Sequence, residues 1–194
     1  GATCDGFPDE FGKKGNLCQL KILKQNYPHI KTLLSIGGWT WSNDFSDIYA
    51  DAVKREDHCD SILWYLENYD IDGIDIDWEY PGVQGEGDNV VRSCHGHEGD
   101  PVTGDSCDAE NFRDFVNYCG PRLKQAEKLL TMALACDPHK YNDFDDPPAG
   151  EDPGEMDLNG MIDNIDWIDL MAYDMKGSWS PVTGHHAGLY ANIG

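Results

Sequence analysis

Residues 72 to 81 read Asp72-Gly-Ile-Asp75-Ile-Asp77-Trp-Glu79-Tyr80-Pro81, a run in which three acids alternate with Ile74, Ile76 and Trp78. Side chains along an extended strand point to alternate faces, so Asp75, Asp77 and Glu79 share one face and the apolar three share the other. Carboxylates one strand repeat apart, roughly 7 Å along the chain, repel when buried. They do not all ionise at neutral pH, and a carboxyl that keeps its proton is what a general acid requires. Glu79, last on the strand, is best placed to reach a leaving group. Asp77 stands behind it and Asp75 deeper, so a proton shared between the aspartates would tune the set. A solvated acidic edge strand, or a calcium or magnesium site, would use the same residue types. An edge strand, however, would not place two isoleucines and a tryptophan on its opposite face and follow them with Tyr80-Pro81.

Other elements must hold that strand in place. Short, continuous apolar runs bounded by turn signals predict four buried strands, at 30–37, 71–78, 129–136 and 167–173. Phe112, Phe115, Val116, Cys119 and Leu123 recur at the spacing of one helical face, with Asp108 as the expected N-cap. Ile62, Leu63, Leu66 and Tyr69 form a similar stripe before the second strand. Strands alternating with helices imply right-handed βαβ units and a parallel sheet, hence an α/β fold. Acids concealed on one strand face fit a TIM barrel, whose lumen they would climb to the C-terminal rim where such barrels hold their sites. A doubly wound open sheet is the alternative. A closed barrel needs about 250 residues, and the chain of 194 supplies about half the strands. Residues 1–194 are therefore expected to form a single partial catalytic domain, the middle of a barrel, with apolar faces left open to self-association.

Composition narrows the partners. With 14 Lys and Arg against 36 Asp and Glu, the formal charge is -22, which repels phosphate backbones and anionic lipid. Nucleic acid and membrane are thereby excluded as expected partners, and a neutral or cationic substrate is favoured. No stretch reaches the roughly 18 apolar residues of a membrane helix. Seven cysteines without C-x-x-C spacing point to disulfides and a secreted, extracellular setting. Cys4 with Cys18, Cys94 with Cys107, and Cys59 with Cys119 are the expected pairs, leaving Cys136 odd.

The acid strand resembles the DxxDxDxE signature of glycoside hydrolase family 18. Ser35-Ile-Gly37-Gly38-Trp39 is similar to that family's SxGG strand, and Met171-Ala-Tyr173-Asp174 to its sixth strand. Gly177-Ser-Trp179-Ser-Pro-Val-Thr-Gly184-His185 resembles the loop that follows in chitinases. The resemblance implies that the chain supplies roughly the third to sixth βα units of a TIM barrel, with no counterpart to the first, second, seventh and eighth strands. It also implies an endo-acting chitinase that cleaves β-1,4-linked N-acetylglucosamine polymers with retention, by substrate assistance rather than an enzyme nucleophile. On that analogy Glu79 is the general acid and base. Asp77 orients the substrate acetamide and stabilises the oxazolinium ion, Asp75 sets its protonation, and Tyr173 bonds the acetamide oxygen. Asp174 and Met171 contact the same sugar. Expected partners are chitin or chitooligosaccharides, and no cofactor, metal or protein partner is implied.

Sugar rings offer apolar faces, so Trp39, Tyr80 and Trp179 are expected stacking platforms, whereas Trp41, Trp64, Trp78 and Trp167 read as core. Cys94-His95-Gly-His97 lacks a second ligand pair for zinc and reads as a stapled loop. Ser35 has no base pattern near it, so it is not expected to be a nucleophile. His185-His186 reads as a rim-loop contact at most. Two rival functions stand beside the chitinase: a chitin-binding lectin without hydrolysis, and an endo-β-N-acetylglucosaminidase acting on N-glycans. Lectins of this family usually lack one of the strand acids, all of which are present here.

Overall fold

The computed structural model describes residues 4–82, 108–136 and 160–189. All four expected strands form, as β1 (Leu33–Gly37), β2 (Gly73–Asp77), β3 (Leu129–Ala135) and β4 (Trp167–Met171). Each neighbouring pair is parallel, and the order across the sheet is β1-β2-β3-β4. Strands that follow chain order without a reversal form the wall of a barrel; the doubly wound alternative requires a switch in direction of winding. Four strands are half of the eight that close such a barrel.

Helices α1 (Glu10–Lys14) and α2 (Asn16–Asn26) precede β1. Helices α3 (Phe45–Ala50) and α4 (Ala52–Asn68) connect β1 to β2, and α5 (Asp108–Gln125) precedes β3. A short 3-10 turn, Ile162–Asn164, leads into β4. The strands are somewhat shorter than the apolar runs because side chains take over the backbone at their ends. The Thr32 N–H donates to the Asp72 carboxylate at 2.8 Å, and the Lys128 ammonium donates to the Ile71 carbonyl at 2.6 Å. Asp72 is held below the usual carboxylate range; burial pushes it up, but the Thr32 N–H, Lys24 and Lys31 more than offset that.

The core lies between the outer face of the sheet and the helices. Ile74, Ile76 and Trp78 are buried there, and the Trp78 ring sits 5.4 to 5.6 Å from those of Phe45, Tyr49 and Phe112. All five apolar positions of the expected α5 stripe are buried. Asp108, expected as an N-cap, is the first residue of α5 itself. Its carboxylate accepts from Ser46 Oγ at 2.5 Å and the Gly82 N–H at 3.1 Å, which braces the end of β2 against α3. Disulfides join Cys4 to Cys18 and Cys59 to Cys119, the latter linking α4 to α5. Cys136 is free, and the expected Cys94–Cys107 pair and the Cys94–His97 loop lie outside the described residues.

Three tryptophans depart from expectation. Trp78 is core, but Trp41, Trp64 and Trp167 are 82%, 46% and 43% exposed. Trp41 stands on the loop after β1, and Trp64 on the side of α4 turned away from the sheet. Trp167 has the same parity in β4 as Asp169 and Met171, so it faces the inner side of the sheet, where the acids stand.

Candidate active site

Register brings the acids together with their supports. Ser35 stands opposite Asp75, Gly37 opposite Asp77, and Thr131 opposite Asp75 on the other flank. Gly37 must be glycine: its φ is +108°, and a Cβ there would lie 2.2 Å from the Asp77 carbonyl oxygen. That approach lets the chain turn sharply out of β1. The Gly38 N–H then donates to the Asp77 carbonyl at 2.7 Å. Ser42 completes the stitch, its hydroxyl 2.8 Å from the Gly38 carbonyl and 3.2 Å from that of Asp77, while accepting from the Glu79 N–H at 3.1 Å. The backbone of the last acid is thus fixed by the loop after the neighbouring strand.

The three carboxyls sit in different surroundings. Asp75 is gripped by two hydroxyls, Ser35 Oγ at 3.0 Å and Thr131 Oγ1 at 2.8 Å. Asp77 is pushed up to about 6, first by burial and then by the charges of Glu79 and Asp75. Its Oδ1 is buried with no hydrogen-bond partner among the described residues. Glu79 follows the end of β2, where the Tyr80 hydroxyl hydrogen-bonds it; the peptide between these two residues is cis. Burial, the Glu79 charge and that hydrogen bond raise the Tyr80 hydroxyl well above its ordinary value.

Above the acids opens a cavity of about 800 Å³. Glu79 and Tyr80 enter it from β2, Trp39 from the end of β1, and Met171, Tyr173, Asp174 and Trp179 from β4 and the loop beyond. Seven of the nine residues expected at the site therefore line one space. Asp75 and Asp77 lie beneath it on the same strand face. Trp39 and Trp179 are 48% and 67% exposed, open for an apolar sugar face. Burial, and then the charges of Asp77, Glu79 and Asp174, raise the Tyr173 hydroxyl above its ordinary value. His186 stacks on the Tyr173 ring with centroids 6.1 Å apart, and its Nε2 lies 3.4 Å from Asp174 Oδ1.

Several contributors were not legible as site residues. Thr131 reads as one more β-branched strand residue, Ser42 as a loop residue, and Cys136 as an unpaired thiol, yet Cys136 lines the cavity beside Ala135. Ser35 donates its hydroxyl to Asp75. No group of three or more His, Cys, Asp or Glu is arranged to hold a metal ion among the described residues. No helix among them is long and apolar enough to cross a membrane.

The chain matches the model of glycosyl hydrolases family 18 over residues 4–194. Chitinase A1 of Niallia circulans is 36% identical over 176 residues, which covers 90% of this chain and 22% of that protein. Chitinase ChiA74 from Bacillus thuringiensis has a solved structure that superposes with a TM-score of 0.73 at 31% identity, over 97% of this chain and 29% of that one. The group IV chitinase of Ostrinia furnacalis, solved in complex with allosamidin, gives 0.72 at 27% identity, over 99% of this chain and 46% of that one. The chain thus spans less than half the length of each of these relatives.

Proposed function

Because the chain belongs to glycosyl hydrolase family 18, we propose that residues 1–194 are a partial catalytic domain of a secreted, endo-acting chitinase. Its substrate is a β-1,4-linked polymer of N-acetylglucosamine, and its partners are chitin and chitooligosaccharides. The observation that carries this reading is the convergence of Glu79, Tyr173 and Asp174 on one cavity, with Asp77, pushed up to about 6, directly behind Glu79. Two disulfides support the extracellular setting.

The chemistry follows from these positions. Glu79, at the cavity floor, protonates the glycosidic oxygen as the leaving group departs. The substrate's own acetamide oxygen attacks the anomeric carbon, forming an oxazolinium ion with retained configuration. Asp77 orients the acetamide N–H and stabilises the cation, because a carboxylate near a developing positive charge acts strongly where water is excluded. Tyr173 donates to the acetamide oxygen, Asp174 and Met171 hold the same sugar, and Trp39, Tyr80 and Trp179 offer stacking faces. Glu79 then takes a proton from the water that opens the ring.

The test is incubation with chitin tetramer, with Glu79→Gln alongside, and chromatography that resolves anomers. Glu79-dependent release of β-anomeric chitobiose is expected, with the variant slowed at least about a hundredfold. Binding without cleavage by the parent chain would point to the lectin instead. Cleavage of a high-mannose glycoprotein in preference to chitin tetramer would point to the N-glycan endoglycosidase.

A further inference from the structure

Asp75 is held by a neighbour that the reaction scheme does not use. Thr131 stands opposite it across β2 and β3, is fully buried, and brings Oγ1 to 2.8 Å from Asp75 Oδ1. The same hydroxyl lies 3.4 Å from the Ile74 carbonyl oxygen. A threonine hydroxyl has one proton to give, and the shorter contact with an acid oxygen is the stronger claim on it. On the other flank, Ser35 Oγ occupies Asp75 Oδ2 at 3.0 Å. Each oxygen of Asp75 therefore accepts one hydroxyl proton, from opposite flanks, which fixes the plane of the carboxylate. Asp77 has a buried oxygen with no such partner among the described residues.

We propose that Thr131 is a positioning residue of the acid centre: its hydroxyl locks the Asp75 carboxylate in place on the strand face that it shares with Asp77. This rests on the reading of Glu79 and Asp77 as the groups that act on the substrate. Among the described residues, the other titratable groups on this side of the sheet are Glu79 and Tyr80 after β2, Cys136 after β3, Asp169, Tyr173 and Asp174 from β4 and its end, and His186 beyond it. β1 contributes none. Among the described residues, Thr131 and Ser35 are the uncharged donors to Asp75.

Thr131→Val keeps the shape and removes the donor, and Thr131→Ser keeps the donor and removes the methyl. The experiment measures kcat and KM on chitin tetramer, together with titration of the Asp77 carboxyl by carbon NMR in the whole chain. In Thr131→Val, kcat is expected to fall about tenfold with KM within about twofold, since the buried residue touches no sugar. The freed Asp75 carboxylate then keeps its charge less closely against Asp77, and the Asp77 midpoint moves down by about half a pH unit. Thr131→Ser is expected to match the parent in both readouts. A valine variant indistinguishable from the parent in both overturns the proposal, as does equal loss in the serine and valine variants, which would mean packing alone. If the parent chain cleaves nothing, the failure falls on the functional reading, and the Asp77 titration by itself decides the role of Thr131.

Discussion

Gly37 and Asp77 face each other across β1 and β2 so closely that no side chain fits between them, a Cβ on the glycine falling 2.2 Å from the aspartate carbonyl oxygen and 2.6 Å from the Phe45 ring. Gly38, one residue on, also has positive φ, but its Cβ would meet only the Asp77 carboxylate at an ordinary 3.6 Å. Gly37→Ala is therefore expected to destabilise the chain by at least about 2 kcal/mol, strain and collision combined. Gly38→Ala should cost about 1 kcal/mol, from backbone strain alone. Urea unfolding of the two variants checks the order, and the reverse order would show that the β1 turn is not what limits the approach.

The Asp77 shift carries a sign that unfolding can read. An aspartate titrates near 3.9 when unfolded and near 6 here, raised chiefly by burial. Between those values the folded chain binds more protons than the unfolded one, so this residue's contribution falls as pH rises through that window. Below about 4 both states hold the proton and the contribution is fully present. Asp77→Asn, which is neutral throughout, should lose less stability than the parent between pH 4 and pH 7. Parallel denaturation midpoints at the two pH values measure it, and an unchanged slope would mean that Asp77 is not the group responsible.

His186 clasps the rim. It stacks on Tyr173, approaches Asp174, and its carbonyl accepts the Met175 N–H at 2.9 Å. An exposed polar contact and one ring contact together are worth only about 1 kcal/mol. His186→Ala is accordingly expected to weaken chitooligosaccharide binding by about two- to tenfold, and His186→Phe, which restores the ring alone, to recover part of it. Titration calorimetry with the Glu79→Gln background distinguishes the two. Unchanged affinity in the alanine variant would leave the clasp without a role in binding.

Cys59 and Cys119 are 60 residues apart in sequence, and their bond constrains a long loop of the unfolded chain. Replacing both with alanine is expected to cost about 2 to 4 kcal/mol. The loss should appear as a lower urea midpoint with a steeper dependence on denaturant, because the unfolded chain expands further. A loss below about 1 kcal/mol would mean that packing of α4 on α5 holds the pair together without the bond.

Much of this architecture could be read from the chain before its shape was known. The four strands announced themselves as short apolar runs bounded by turn signals, and β2 and β3 are buried as such runs predict, whereas Trp167 and Leu170 leave β4 largely exposed. The alternation from Asp75 to Glu79 assigned the acids to one face with no need of a partner. The same parity rule applied to Trp167, Asp169 and Met171 would have turned Trp167 inward; reading it as an isolated tryptophan hid that. Thr131 and Ser42 were beyond reach for a different reason. Their roles arise from register and loop closure between residues dozens of positions apart, and nothing in a local window distinguishes a threonine facing Asp75 from one facing a leucine.

The brace between Gly82 and Asp108 reaches past the core. The carboxylate at the start of α5 accepts the N–H of Gly82, three residues after Glu79, and is itself tied to Ser46. The two ends of the intervening 25 residues are thus fastened to each other and to α3. Because the entropy of closing a loop grows only slowly with its length, this joint works as a graft point. Segments of different size could be exchanged between Gly82 and Asp108 while the acid strand keeps its station.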